Sequence, residues 1–482
     1  MRTVIVGNGM AGSRLVGELR SRDRRMPITV FGAEKARPYN RVMLSNVLAG
    51  ASAPGDIHLT DPGWYADNDV DARLGLPITR IDRRERTVTS ADGDVTPYDA
   101  LVLATGSTPV VPPLPGLDAE GVVVFRTLED CRAIVRHAES ARSAVVVGGG
   151  LLGLEAARGL AGRGVPVTVV HRAGHLMDRQ LDPEAGGVLR RTLHDLGVRT
   201  LLNARLSAAR AEVGRVSGVE LDDGTVLAAD LVVLACGVRP ETGLATASGL
   251  TVDRGVLVDD RLRSVDDPGV HAIGECAQHQ GTVYGLVAPA WEQARVVADV
   301  LTGRTARYRG SRLVTRLKAT GIELAAMGET GLGDDEAEVV RFTDPTRGTY
   351  KKIVIRDGLL VGAILLGETG TAGLLTQLYD RAEPLPADRL HLLFDGLGTG
   401  TPVDTPVRIP DTATVCRCNN VTKGRIRASW EAGARDVPGV AAETRATTGC
   451  GGCRDTVVGI LEWLDRQDPG PHHEPGAEVS RL

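Results

Sequence analysis

Four cysteines have a spacing suited to metal chemistry: Cys416-Arg-Cys418, then 31 residues, then Cys450-Gly-Gly-Cys453. Each pair brings two thiolates close together, and Gly449, Gly451 and Gly452 let the backbone wrap tightly around a bound group. Four thiolates suit tetrahedral zinc or an iron–sulfur cluster. Zinc ribbons favour at least two residues between paired cysteines, which Cys-x-Cys does not offer, and the plant-type ferredoxin spacing differs as well. The pattern therefore favours iron–sulfur chemistry over zinc or unligated thiols. Cys131, Cys236 and Cys276 stand alone and are expected to be buried small hydrophobes. No dithiol lies near the first glycine run, so electrons are not expected to pass to an internal disulfide.

A second chemistry lies in two glycine runs. Thr3–Val6 leads into Gly7-Asn-Gly9-Met-Ala11-Gly12, and Ser143–Val147 leads into Gly148-Gly-Gly150-Leu-Leu-Gly153. In such a run the first glycine allows the tight turn and the second lets the backbone approach a pyrophosphate. The third lets helix pack on strand, and the helix N-terminus faces the anion. One GxGxxG is weak evidence in a chain with 59 glycines. Two carry more weight, because each follows a β-branched strand, opens an amphipathic helix and precedes another strand, Ile28–Phe31 or Val167–Val170. Past the first of these strands Glu34 can accept hydrogen bonds from ribose hydroxyls. The corresponding place in the second unit carries His171 and Arg172. A cation there can accept the 2′-phosphate of NADP, and a neutral histidine can face an unphosphorylated ribose, so NADH and NADPH both remain open.

Those sites need a frame. The chain has 482 residues, 42% hydrophobic and 24% charged, which fits several globular domains and excludes a disordered chain. Aromatics at 3% disfavour base stacking, and Lys+Arg 56 against Asp+Glu 61, with no polybasic block, disfavours a nucleic-acid surface. No leader is read before the first strand and no run approaches eighteen apolar residues, so a cytoplasmic location without membrane contact is expected. Beyond Arg307 the segments Leu313–Leu317, Ile322–Met327, Glu338–Phe342, Tyr350–Arg356 and Leu359–Leu366 read as short strands of a small α+β domain.

With these residues in view the chain resembles the two-dinucleotide-binding flavoprotein disulfide-reductase superfamily. Within it the resemblance is to the flavin portion of nitrite reductase large subunits and to electron-transfer subunits of assimilatory nitrate reductases. It is carried by Pro38-Tyr-Asn-Arg41-Val-Met-Leu-Ser45, Gly148–Glu155, Gly274-Glu-Cys-Ala277 and Tyr284-Gly-Leu-Val-Ala-Pro289. The four-cysteine module resembles bacterioferritin-associated-ferredoxin-like [2Fe–2S] domains, and Arg309–Glu368 is similar to the C-terminal domain of rubredoxin-reductase-like members. Asn46 stands where related ferredoxin reductases often carry a lysine.

The resemblance implies an α/β chain with two Rossmann-like domains. An FAD domain (1–108 and 240–308) is split by an inserted NAD(P)H domain (109–239), with crossings at Thr105-Gly106 and Cys236-Gly237. An α+β domain (309–382), a linker (383–413), a [2Fe–2S] domain (414–466) and a disordered tail (467–482) follow. Gly274, Glu275 and Pro289 join the cofactor-binding set, with a strand and glycine before a new helix at Gly274 and a helical stretch from Ala290 to Leu301. Glu155 is implied to face the nicotinamide and Arg41 to contact the flavin phosphate or ring; these are the candidate catalytic side chains. The implied cofactors are FAD, NAD(P)H and a [2Fe–2S] cluster. The implied partner is the catalytic subunit of a molybdenum nitrate reductase or a nitrite reductase, and a homodimer is compatible with the resemblance. No further cysteine set for a [4Fe–4S]–sirohaem site follows, so nitrite reduction by this chain alone is not expected. The alternatives are a reductase of a ferredoxin, rubredoxin or oxygenase, and a non-enzymatic redox-sensing or iron-store-docking protein.

Overall fold

A computed structural model describes residues 1–394, 410–416, 419, 421–448 and 452–467. The chain divides into two units, one of Met1–Thr369 with Leu378–Leu385 and one of Gly370–Gln377 with the residues from Pro386 onward. Among the described residues no helix is long and apolar enough to cross a membrane.

The first unit holds two parallel five-stranded sheets of matching design. One runs Val70–Leu74, Ile28–Gly32, Thr3–Val6, Ala100–Leu103, Val270–Ala272 in space. The other runs Val198–Leu201, Val167–Val170, Ala144–Val147, Leu231–Leu234, Val122–Val124. Their central strands are buried along their full length, which is why they read as unbroken apolar runs rather than alternating ones. The sheets differ in chain order at one edge. The last strand of the first sheet is contributed late in the chain, whereas its counterpart in the second, Val122–Val124, is contributed before the glycine turn. The second sheet is thus inserted within the first. The two crossings lie side by side as an antiparallel pair, Val238 opposite Pro109 and Pro240 opposite Ser107.

The third part of this unit is an antiparallel sheet in the order Val314–Ala319, Ile322–Gly328, Leu359–Leu366, Thr349–Arg356, Glu338–Asp344. Its central hairpin turns at Asp357 and Gly358, both with positive φ (52° and 73°), as a two-residue loop matched to strand twist requires. Leu317, Leu324, Tyr350, Ile364 and Leu366 from this sheet share one core with Leu154, Leu160, Val169 and Leu189 of the second parallel-sheet domain.

Two local expectations change. The helix expected from Ala290 begins at Val287, because proline is tolerated in a first turn, where its missing N–H has no partner to lose. Gly274–Cys276 forms a single 3₁₀ turn and leads into a short hairpin, Ala277–His279 with Thr282–Val283, rather than directly into a helix.

In the second unit, strands Thr414–Cys416 and Val421–Thr422 pair antiparallel, followed by helices Lys423–Glu431, Val437–Thr444 and Arg454–Gln467. Its core contains Cys416, Val421, Ile426, Trp430, Val440, Cys453, Val457 and Ile460. Residues 395–409 of the expected linker and 468–482 of the expected tail lie outside the described residues.

Candidate functional site

The two glycine turns repeat each other in atomic detail. A Cβ on Gly7 would sit 2.1 Å from the carbonyl oxygen of Ala104, and one on Gly148 would sit 2.2 Å from that of Ala235; both glycines have positive φ. A Cβ on Gly12 or on Gly153 would fall 1.9 Å from the carbonyl oxygen of Gly7 or of Gly148. These four glycines close the turn onto strand and helix. The middle ones behave differently: a Cβ on Gly9 or Gly150 would meet nothing within 4 Å. Each turn therefore keeps one open face beside its helix end.

The helix ends agree. Helices Met10–Arg22, Leu151–Gly162 and Val287–Leu301 all start without a side-chain cap. The short helices Leu44–Ala49, Trp64–Asp67 and Gly243–Ala247 also lack one, whereas those at Leu128, Pro183, Lys423 and Val437 are capped by Thr127, Asp182, Thr422 and Asp436. An uncapped first turn leaves N–H donors and the positive end of the helix dipole available for an anionic or carbonyl-bearing ligand. Three such ends occur where the sequence places cofactors, which fits two dinucleotides and a flavin ring.

Around the first turn, Gly274 (φ 77°) brings its backbone against Ala11, and a Cβ there would lie 3.1 Å from the Ala11 methyl. Its N–H donates to the fully buried Gln293 Oε1 at 2.7 Å. Gln293 Nε2 and Trp291 Nε1, on the uncapped helix that carries Pro289, are buried donors with no hydrogen-bond partner among the described residues. Glu275 accepts from Ser107 Oγ at 2.6 Å and pairs with Arg126, tying both dinucleotide domains to one carboxylate. Thr105 Oγ1 donates to the Glu241 carbonyl at 2.7 Å, while Gly106 and Gly237 have positive φ and face open space.

Glu34 and Arg41 are brought together. Arg41 pairs with Glu34, and its other amino group donates to Tyr39 Oη (3.0 Å) and to the Arg126 carbonyl (3.1 Å). Tyr39 Oη donates to the second Glu34 oxygen at 2.6 Å and accepts from Leu128 N–H at 2.9 Å. Burial, foremost, pushes the Tyr39 phenol above its ordinary range, so it stays a donor to Glu34.

Helix Leu44–Ala49, at the end of the same motif, rests on helix Leu151–Gly162. A Cβ on Gly159 would lie 3.1 Å from Leu48 Cγ, and Arg163 donates to the Leu48 carbonyl. Glu155 lies on this second helix and is buried, unlike a solvated carboxylate. His171 is also buried; its Nδ1 accepts the Gly149 N–H at 3.1 Å, which puts the ring proton on Nε2, 3.3 Å from Asp178 Oδ1. Burial lowers its pKa despite Asp178, and the ring is neutral at pH 7. Arg172 beside it is exposed and forms no ion pair among the described residues.

Of the cysteines expected to hold a cluster, Cys416 and Cys453 are both buried in the core of the second unit. Cys418 and Cys450 lie outside the described residues. Asn419, which sequence reasoning missed, donates through Nδ2 to the Arg445 carbonyl (2.6 Å) and to Thr448 Oγ1 (3.2 Å), joining the two cysteine-bearing segments. Thr447 holds φ 68°, a conformation that costs a β-branched residue about 1–3 kcal/mol and persists only where its surroundings enforce it. Two buried thiols on segments fixed to each other suit a shared inorganic centre. Cys131 and Cys276 are fully buried as expected, whereas Cys236 is only partly so. Burial raises all three thiols, Cys131 to about 11, so they stay protonated and unreactive near neutral pH.

Comparison with known proteins gives this geometry its context. Residues 314–381 match the Rubredoxin NAD+ reductase C-terminal domain, and residues 414–463 match the BFD-like [2Fe-2S] binding domain. The chain is 39% identical to the Nitrite reductase [NAD(P)H] of Bacillus subtilis, over 95% of this chain and 57% of that protein. It is 35% identical to the Assimilatory nitrate reductase electron transfer subunit of the same organism, over 97% of this chain and 60% of that protein. The chain thus spans about three fifths of the length of these relatives. Among solved structures it is similar to putidaredoxin reductase in its covalent complex with putidaredoxin. That match has TM-score 0.75 and 26% identity, covering 82% of this chain and 96% of that one. A ferredoxin reductase from Rhodopseudomonas palustris matches with TM-score 0.71 and 29% identity, covering 76% and 91%. Residues 1–294 match the Pyridine nucleotide-disulphide oxidoreductase family, so the chain belongs to that family of FAD- and NAD(P)H-dependent oxidoreductases and carries a [2Fe–2S] binding domain besides.

Proposed function

We propose that this chain takes electrons from NAD(P)H and delivers them, through FAD and the [2Fe–2S] cluster, to a protein acceptor. That acceptor is the catalytic subunit of an assimilatory molybdenum nitrate reductase or a nitrite reductase. The observation that carries this reading is the doubled cradle, in which Gly9 and Gly150 each leave an open face at an uncapped helix end. We assign FAD to 1–108 and 240–308 and NAD(P)H to 109–239, with the α+β domain at 309–382 and the linker at 383–413. The cluster belongs to Cys416, Cys418, Cys450 and Cys453. Bound FAD supplies the conversion between hydride transfer and single-electron transfer that a nicotinamide and an iron–sulfur centre require.

The protein's part is placement and electrostatics. Glu34, held by Arg41 and Tyr39, offers carboxylate oxygens to ribose hydroxyls. Glu275, oriented by Ser107 and Arg126, does the same beside the Val287–Leu301 helix, whose N-terminal dipole favours negative charge on the reduced ring. Buried Glu155 is assigned to the place where nicotinamide and flavin meet. Anaerobic titration with NADH and with NADPH, followed by optical and EPR spectra, tests the path: flavin bleaching is expected together with a reduced-cluster signal. Bleaching that leaves the cluster oxidised would overturn it. Rates of delivery to nitrate reductase and to a ferredoxin separate this acceptor class from the ferredoxin-reductase alternative.

Arg172 bears on the donor. An exposed guanidinium at the strand end, beside a neutral histidine whose ring faces Asp178, suits a 2′-phosphate. Arg172→Ala is expected to lower kcat/KM for NADPH about tenfold, the worth of one charge-assisted contact, and to change that for NADH less than about twofold. An equal fall for both donors would remove the phosphate role.

A further inference from the structure

We propose that the antiparallel sheet domain positions the nicotinamide-nucleotide turn: Tyr350, Lys352 and Thr330 clamp Gln180–Asp182, and through that segment hold His171, Leu176 and Met177 against Gly149. This rests on the assignment of NAD(P)H to the second glycine turn.

Two adjacent lysines on strand Thr349–Arg356, Lys351 and Lys352, are both buried, an uncommon fate for a charged side chain. Neighbours on a strand point to opposite faces, so Lys351 meets Glu368 at 2.9 Å while Lys352 shares its face with Tyr350. That face meets Asp182. Asp182 Oδ1 accepts the Ala185 N–H at 2.9 Å as the cap of helix Pro183–Asp195. Its Oδ2 accepts from Tyr350 Oη at 2.8 Å and from Lys352 Nζ at 3.0 Å. Burial alone would raise the Asp182 pKa, but the bonds from Ala185, Lys352 and Tyr350 outweigh it and keep the carboxylate ionised. Lys352 Nζ also donates to the Thr330 carbonyl at 2.9 Å, and Thr330 Oγ1 donates to the Gln180 carbonyl at 2.9 Å.

From this anchor the segment turns back onto the glycine run. The N–H groups of Gln180 and Leu181 donate to the Met177 carbonyl at 2.8 and 2.9 Å, and Met177 N–H donates to the Gly149 carbonyl at 2.9 Å. Met177 holds φ 50°, which a residue other than glycine adopts only when its surroundings hold it there. His171 takes the Gly149 N–H, so both backbone groups of the middle residue of the turn are committed to this segment. Leu176 and His171 fill the space that a Cβ on Gly149 would enter, at 2.7 and 2.8 Å. The turn therefore has no slack except on the open side at Gly150, and its position depends on where Asp182 is held. Misplacement by about 1 Å in a positioning element can cost on the order of 100-fold.

The test uses the full chain loaded with flavin, comparing Lys352→Met, Tyr350→Phe and Thr330→Val with the parent. NADH and NADPH affinity, steady-state turnover with ferricyanide and backbone amide exchange are measured. KM and Kd for the nucleotide are expected to rise about 10-fold or more in Lys352→Met, and about 3-fold in the other two, with kcat within about twofold. Faster exchange is expected at Gly149 and across 171–182, with the flavin spectrum unchanged. Should Lys352→Met fail to fold, Tyr350→Phe and Asp182→Asn, which keeps a capping side chain, give the same readout. Folded variants whose nucleotide KM and local exchange match the parent would overturn the clamp. A parent protein that neither binds nor oxidises NAD(P)H would instead sink the site assignment beneath it.

Discussion

Replacing Cys453 with serine is expected to abolish the iron–sulfur EPR signal and to bring iron content to background, with flavin content unchanged. Electron delivery to a protein acceptor should fall by roughly 100-fold or more, because the cluster depends on thiolate ligation and even outer-shell losses cost about 10–100-fold. NADH- or NADPH-driven reduction of ferricyanide, which can draw on the flavin directly, should persist within about twofold. Cys453 is 6% exposed and packs with Cys416 and Val457, so the serine hydroxyl also perturbs a small core; circular dichroism of the variant checks that the module remains folded. Undiminished delivery to the protein acceptor would mean that electrons bypass the second unit.

The second large effect separates ligand from fold within one turn. Gly150 has φ −84° and nothing within 4 Å of a built Cβ, so valine there meets no backbone clash at its first carbon and should cost no more than about 1 kcal/mol, the worth of a helix N-cap preference. The same side chain occupies the space through which a pyrophosphate approaches, and the nucleotide KM should rise on the order of 100-fold. Gly153→Val is the contrasting case. Its Cβ falls 1.9 Å from the Gly148 carbonyl oxygen, a backbone clash whose relief costs about 1–3 kcal/mol or more and lowers the melting temperature. Thermal melts and NAD(P)H kinetics on the two variants should therefore diverge; similar melting losses in both would show that the open face at Gly150 is a packing surface.

Much of this arrangement is legible from the chain because it is local. The glycine turns announce themselves through residues whose missing Cβ is itself the requirement, and the central strands through unbroken apolar runs. The antiparallel sheet shows in its short strand-like segments and in the Asp357-Gly358 turn. What escaped is long-range or short-lived in sequence. Val122–Val124 has three residues, too few for a pattern, and is a strand only because Leu231–Leu234 lies beside it. Arg126 reaches Glu275 across 149 positions, and nothing near either residue encodes the pairing. Lys351 and Lys352, inside a segment read only as a strand, are both buried because carboxylates on other segments, Glu368 and Asp182, meet them. Glu155 is placed by family resemblance alone; its burial is a tertiary property that no spacing rule reports.

The ribbon formed where Ser107–Pro109 runs beside Val238–Pro240 has a mechanical meaning. A single connecting strand would act as a swivel, free in torsion. Two strands bonded edge to edge fix each other's register, because neither can slide without breaking backbone hydrogen bonds to the other. Because both ends of the inserted half emerge at neighbouring points, evolution can exchange that half as a cassette without re-threading the host sheet.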